Sequence, residues 1–264
     1  VKHSGGAIEV IGHGGAGDFF PGNSRPAIEQ ALKIGVDRIE FDLQLSGSGE
    51  LVLVHNEHIR LSNSTIAPVR GTAIDDIRRA LTGLLTLPEA VELIGDGASL
   101  LIDVKAPGYE RELVAEIQRL DIQPRVTVSS TYATTLHYLR KKFPAMRLGL
   151  STGHLANGIP SRVARKIVST ALQLATPAPL LAAVRTVGAT DVMVQYRVCS
   201  PYLVRLMHDH GVRVNTWTVD HPSQIERVLA MGVDGVISNR PDLVNLQLRP
   251  DSHFFNSQVS RPPY

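Results

Sequence analysis

The sequence predicts a (β/α)8 TIM barrel of the α/β class, with a small insertion after the second barrel strand, and three observations support it. An amphipathic helix, a glycine and a short β-branched run recur in that order along the chain. About eight hydrophobic runs have the length and composition of parallel strands. Polar residues gather where several of those runs end, and a barrel brings the C-terminal ends of its strands to one mouth. A doubly wound sheet would satisfy the first two observations; the third separates the folds.

Taken in order, a strand over 7–12 runs into the glycine-rich stretch 12–17. Helical spacing over 26–34 ends at Gly35, and a strand follows over 36–43. The same half-unit returns as 203–210, Gly211 and 212–216, and again as 223–231, Gly232 and 233–238. A glycine just past a helix takes the left-handed conformation that closes the last turn. Its recurrence before hydrophobic runs predicts alternating helices and parallel strands. Further strands are expected over 51–54, 100–105, 125–129, 147–150 and 191–195, with merges bringing the total to about eight. The stretch from about 57 to 98 is too long for a plain loop and is expected to insert short helices over 75–84 and 88–94. A single barrel domain is therefore expected over 1–249. An irregular tail over 250–264 is marked by Pro250, Pro262 and Pro263.

The chain has 264 residues, 43% hydrophobic and 20% charged, enough to bury a full core. A formal net charge of +2 does not suggest nucleic acid as a partner. The densest basic run, Arg140-Lys141-Lys142, reads as a solvated helix face. Cys199 is the only cysteine, so no internal disulfide forms, and its apolar surroundings read as core rather than as a nucleophile's. No stretch has the uninterrupted apolar length that spans a bilayer, and no signal peptide is visible. The chain begins at Val1, and cytoplasmic and cell-envelope addresses both stay open. The sequence sets no oligomeric state.

Chemistry concentrates in a few residues. Glu40 and Asp42 are two apart in a strand, so their side chains share a face. Two carboxylates turned into a barrel repel unless a cation or protons neutralise them. Oxygen ligation favours Mg2+ or Ca2+ over zinc, and Asp103 offers a third carboxylate from another strand. His13 sits in Gly12-His13-Gly14-Gly15-Ala16-Gly17, where glycines such as Gly14 let a substrate approach the backbone closely. His55 ends the run Leu51-Val52-Leu53-Val54. Two histidines beside a metal suit phosphodiester cleavage, one to deprotonate a nucleophile and one to protonate the leaving oxygen. Each feature alone is as easily structural; the combination is the signal.

The sequence resembles the glycerophosphodiester phosphodiesterase family from about Ile8 to Leu243. The family's His-Arg-Gly and Pro-Glu-Asn-Thr appear as His13-Gly14-Gly15 and Pro21-Gly22-Asn23-Ser24. Its Gly-Ala-Asp-x-Ile-Glu-x-Asp-Val is matched by Gly35-Val36-Asp37-Arg38-Ile39-Glu40-Phe41-Asp42-Leu43, and its His-Asp by His55-Asn56. Leu85-Thr86-Leu87-Pro88-Glu89, Asp103-Val104-Lys105, Trp217-Thr218-Val219-Asp220 and the run from Gly232 to Asp242 continue the series. The resemblance implies a barrel that hydrolyses a glycerol phosphodiester, small or lipid-derived, to an alcohol and a glycerol phosphate. It implies one divalent ion held by Glu40, Asp42 and Asp103, with His13 and His55 as acid and base. Lys105 is implied at the phosphate and Trp217 at the substrate pocket.

Three departures qualify this. Gly14 replaces an arginine that would clamp phosphate, Gly22 replaces a glutamate, and Asp103 is a shortened glutamate. Sphingomyelinase-D-like barrels are a more distant resemblance through their two histidines and Glu/Asp/Asp set. Phe19-Phe20 admits an alternative, lysophospholipase-D-like activity on a lipid at a membrane surface. Gly14 and Gly22 admit another, a barrel that binds phosphodiesters but barely hydrolyses them.

Overall fold

The structure is a computed structural model that describes residues 7–153, 171 and 173–249. The irregular tail expected over 250–264 lies outside the described residues.

Strand β1 (Glu9–His13) leads through the glycine loop to helix α1 (Arg25–Ile34), and β2 (Arg38–Leu45) follows. The Ser24 side chain caps α1 by accepting from the Ala27 amide. Gly35 ends it at φ +77°, a left-handed conformation that costs an L side chain and not a glycine. The next segment holds β3 (Leu51–Leu53), the β4–β5 hairpin (His58–Arg60 and Ile66–Pro68), α2 (Ile74–Ala80) and α3 (Leu87–Ile94). Regular alternation then resumes with β6 (Ser99–Val104), α4 (Glu110–Arg119), β7 (Val126–Ser130), α5 (Ala133–Lys142) and β8 (Arg147–Ser151). Helix α6 (Pro177–Val187), β9 (Asp191–Gln195), α7 (Pro201–His208), β10 (Arg213–Trp217), α8 (Pro222–Ala230), β11 (Gly235–Ser238) and α9 (Pro241–Leu248) complete the fold.

Eight parallel strands run β1-β11-β10-β9-β8-β7-β6-β2, and the β1–β2 pairing closes the ring. This is the predicted (β/α)8 barrel. Ile39, Phe41 and Leu43 of β2, with Leu100 and Ile102 of β6, face outward into the main core beneath the helices. The run over 51–54 is corrected: β3 pairs antiparallel with β2 at the rim and is not a barrel strand. A short apolar run carries no information about strand direction. Around β3 the insertion builds a small core of its own from Val52, Val54, Ile59, Val69, Ile77 and Leu84. Arg140 is also corrected: its guanidinium donates to the carbonyls of Pro144 (2.6 Å), Met146 (3.0 Å) and Gly188 (2.7 Å) rather than facing solvent alone.

The barrel interior is layered. At the N-terminal end of the strands, Glu9, Arg38, Arg147, Asp191 and Arg213 form a charged layer, with Arg147–Asp191 at 2.6 Å and Arg213–Glu9 at 3.0 Å. Above it Ile11, Leu101, Met193 and Ile237 pack with Trp217. The polar residues of the opposite mouth rest on this apolar floor. Among the described residues, no helix is long and apolar enough to cross a membrane.

Candidate active site

The alternation of β2 turns Glu40, Asp42 and Gln44 to the barrel interior while Phe41 and Leu43 go to the outer core. Lateral register sets their neighbours: His13 stands opposite Glu40, Asp103 opposite Asp42, and Ser129 opposite Asp103. One carboxylate oxygen from each of Glu40, Asp42 and Asp103 lies within 4.8 Å of the others. Lys105 places Nζ 2.6 Å from Asp42 Oδ1 and 2.7 Å from Asp103 Oδ2. Ser129 Oγ donates to Asp103 Oδ1 at 2.9 Å, so the shortened carboxylate still reaches the cluster.

Charge at this site is poorly satisfied by the protein alone. Were all three carboxylates ionised and His13 neutral, one ammonium would leave an excess of about two negative charges in a buried place, which a proton or a cation must relieve. Burial, then the neighbouring Asp42, pushes the Glu40 carboxyl up to about 7. Burial also raises Asp103. Asp42 is lowered despite its burial, chiefly by Lys105 and then His55. Its Oδ1 pairs with Lys105 but accepts no aligned hydrogen bond. An oxygen-rich cluster whose ionised form carries surplus negative charge fits a divalent cation.

Each histidine is oriented from its far side. His13 Nδ1 lies 2.8 Å from Asn239 Oδ1. Asn239 Nδ2 donates to Asp220 Oδ2 at 2.9 Å, while its backbone N donates to Asp220 Oδ1 at 2.7 Å. That chain assigns the amide oxygen to His13, makes Nδ1 the donor and leaves Nε2 for proton exchange. Burial opposes the imidazolium, but Glu40 and Asp42 outweigh it and hold the His13 pKa above its ordinary value. His55 is exposed, with Nδ1 2.9 Å from Asn56 Oδ1. Its loop is held by Gln44, whose Nε2 donates to the carbonyls of Val54 (3.0 Å), His55 (3.2 Å) and Asn56 (2.8 Å).

The glycine loop packs backbone against backbone. Gly14 has φ +56° and donates its amide to Glu40 Oε2 at 2.9 Å. A Cβ at Gly15 would come within 2.6 Å of the Ala27 carbonyl. Gly14 and Gly22 face each other, with a Cβ at Gly22 falling 3.8 Å from Gly14 Cα. The two departures from the family motif thus lie side by side, and together they leave the net charge unchanged.

His13, Glu40, His55, Asp103, Lys105 and Trp217 line one cavity of about 300 Å³ at the barrel mouth. Trp217 is fixed there by Nε1 donating to the Met193 carbonyl at 3.0 Å. Asp42 joins that site through Lys105, and Gly14 through its amide on Glu40. Sequence reasoning gave no role to Asn23, Gln44, Ser129, Asp220 or Asn239. Asn23 is tied to Asp42 twice, by Nδ2 to Oδ2 at 2.7 Å and by Oδ1 accepting the Asp42 amide at 2.9 Å. Gln44 was detectable as the next inward position after Glu40 and Asp42; its partners were not.

A closed parallel barrel with carboxylates, a lysine and two histidines at its C-terminal mouth defines an enzyme of the barrel phosphodiesterase class. The sequence profile of the glycerophosphoryl diester phosphodiesterase family matches residues 13–243, and the chain belongs to that family. A glycerophosphodiester phosphodiesterase of Caldanaerobacter subterraneus subsp. tengcongensis is 29% identical over 255 residues, covering 90% of this chain and 96% of the relative. A Bacillus subtilis glycerophosphodiester phosphodiesterase is 24% identical, covering 89% of this chain and 85% of the relative. An Oleispira antarctica phosphodiesterase, solved with the product sn-glycerol-3-phosphate, shares the fold with a TM-score of 0.75. It is 19% identical and is covered over 96% of its length by 90% of this chain. The Thermotoga maritima glycerophosphodiester phosphodiesterase shares it with a TM-score of 0.71 at 20% identity, over 93% of this chain and all of that one.

Proposed function

We propose that this protein hydrolyses glycerophosphodiesters to an alcohol and a glycerol phosphate, dependent on one divalent cation and on His13 and His55. The observation that carries the reading is the acidic cluster of Glu40, Asp42 and Asp103, of which Glu40 and Asp103 line the same cavity as both histidines and Lys105. Glu40, Asp42 and Asp103 would hold Mg2+ or Ca2+. The cation supplies Lewis-acid stabilisation of charge developing on the phosphate. Lys105 adds a cation at the same phosphate. Trp217 walls the substrate pocket. One histidine accepts the proton of the nucleophile at Nε2, and the other donates a proton from Nε2 to the leaving oxygen. The nucleophile is water or a neighbouring substrate hydroxyl; the second choice yields a cyclic phosphate. Either ring can serve in either role.

A screen of divalent metals against glycerophosphodiesters, with an EDTA control, tests this directly. Glycerol phosphate release is expected with Mg2+ or Ca2+ and should stop with EDTA. His13→Ala and His55→Ala should each lower kcat by roughly a hundredfold or more with the circular dichroism spectrum unchanged. Near-normal turnover in either variant refutes the assignment. A second reading, lysophospholipase-D-like activity, draws on Phe20, which is 42% exposed; Phe19 is instead packed under Arg240, 5.2 Å from its ring centroid. Comparing glycerophosphocholine with lysophosphatidylcholine decides between them.

A further inference from the structure

A second cavity of about 360 Å³ opens beside the first and shares Trp217 and Thr218 with it as a common wall. Its other lining residues come from the end of β9 and the chain after it (Gln195, Tyr196 and Arg197) and from the β10–α8 link and the first turn of α8 (Asp220, His221 and Gln224). A diester whose phosphate sits in the first cavity beside Lys105 has two arms, and the shared wall lets one arm extend over Trp217 into this space.

The charges there are unequally engaged. Asp220 already accepts from Ser238 Oγ, from the Asn239 amide and from Asn239 Nδ2. His221 is turned to Ser223, lying 3.0 Å from its hydroxyl. Arg197 has a different arrangement: its guanidinium lies over the Tyr196 ring, 4.6 Å from the centroid. No carboxylate among the described residues pairs with it. The stack has its own supports. The Tyr196 hydroxyl accepts from Gln224 Nε2 at 3.2 Å, and the Tyr196 amide donates to the Trp217 carbonyl at 2.8 Å. A guanidinium held by its face keeps its N–H edge for a planar acceptor, the geometry that suits bidentate binding of carboxylate or phosphate.

We infer that the cavity around Arg197 and Tyr196 is a subsite for the leaving alcohol, and that it selects head groups bearing an anionic group such as a carboxylate. The inference rests on the proposed phosphodiester hydrolysis and adds its substrate class. Glycerophosphoserine and glycerophosphoethanolamine form a matched pair of probes, because they differ by a single carboxylate on the leaving alcohol.

The test is the ratio of kcat/KM for the two diesters under the same metal conditions, in wild type, Arg197→Met and Arg197→Lys. Wild type should favour glycerophosphoserine by about tenfold. Arg197→Met should bring the ratio close to one. Arg197→Lys keeps the charge but loses the fork and should fall between. Because both substrates are measured on one preparation, a partly misfolded variant leaves the ratio unaffected. A wild-type ratio near one, or a preference that survives Arg197→Met, overturns the subsite. Failure of wild type to cleave either diester under any divalent metal overturns the proposed hydrolysis instead, so the two failures are distinguishable.

Discussion

Gln44 is 4% exposed, and its amide contacts three consecutive carbonyls of the segment that carries His55. Because Glu40, Asp42 and Gln44 share one face of β2, one strand face presents the carboxylates and also indexes His55 against them. Gln44→Met keeps the volume and removes the donors. We expect kcat to drop about tenfold or more through misplacement of the ring, with divalent-metal affinity within about twofold of wild type. An unchanged kcat, read beside metal titration, would show that the clamp is dispensable. Glu40 makes a second residue-scale prediction. A carboxyl raised from 4.5 to about 7 holds its proton more tightly folded than unfolded. Metal-free protein should therefore lose stability from this group as pH rises from about 4.5 to 7. If a divalent cation binds the ionised carboxylates, as proposed, the increase in Tm that it causes should be large above pH 7 and small near pH 5. Thermal melts with Mg2+, Ca2+ or EDTA across that range check the sign.

At the scale of elements, the insertion gives His55 its place. Leu53 and Val54 lie against β2, with the Val54 amide donating to the Asp42 carbonyl at 3.1 Å, so His55 emerges directly above the acidic cluster. Helix α3 returns the chain to the barrel and begins with a full capping box, Thr86 and Glu89 satisfying each other's backbone amides. Glu89 also meets Arg78 of α2 at 2.8 Å, joining the two helices of this segment. Thr86→Ala removes the cap and should cost about 1 kcal/mol of stability, read as a lower urea midpoint with an unchanged m-value. The Gly14–Gly22 pair belongs to this scale too. An arginine at 14 alone would meet a left-handed backbone and a Cβ only 3.0 Å from the Asn23 amide. The loop in this form therefore favours glycine at position 14.

For the whole molecule, the barrel separates stability from chemistry along its axis. The charged layer at the N-terminal end is far from the mouth, with the apolar layer of Ile11, Leu101, Met193 and Ile237 between them. Asp191 is fully buried and pairs with both Arg147 and Arg213. Asp191→Ala leaves those guanidiniums short of a partner and should lower unfolding free energy by about 3 kcal/mol, measured by chemical denaturation. A change under about 1 kcal/mol would mean that Glu9 alone balances the layer.

How much of this was legible in the sequence depends on the range of the physics. Local rules settled the strand–helix alternation, the glycine at the end of α1 and the shared face of Glu40 and Asp42, because dihedral preference and two-residue alternation act between near neighbours. The small insertion was legible from its length. The direction of β3 was not, since an apolar run pairs either way until a neighbour selects one. Only the tertiary structure joined Asp220 and Asn239 to His13, across 226 residues in the case of Asn239. It alone set Gln44 under the His55 loop, made Gly14 and Gly22 neighbours, and placed Arg197 beside the mouth. Ring closure decided the Asn239 and Arg197 placements, because it fixes which strand ends share a level. The Gln44 and Gly14 meetings were set by the path of the β2–β3 and β1–α1 loops, and no local pattern carries either kind of information.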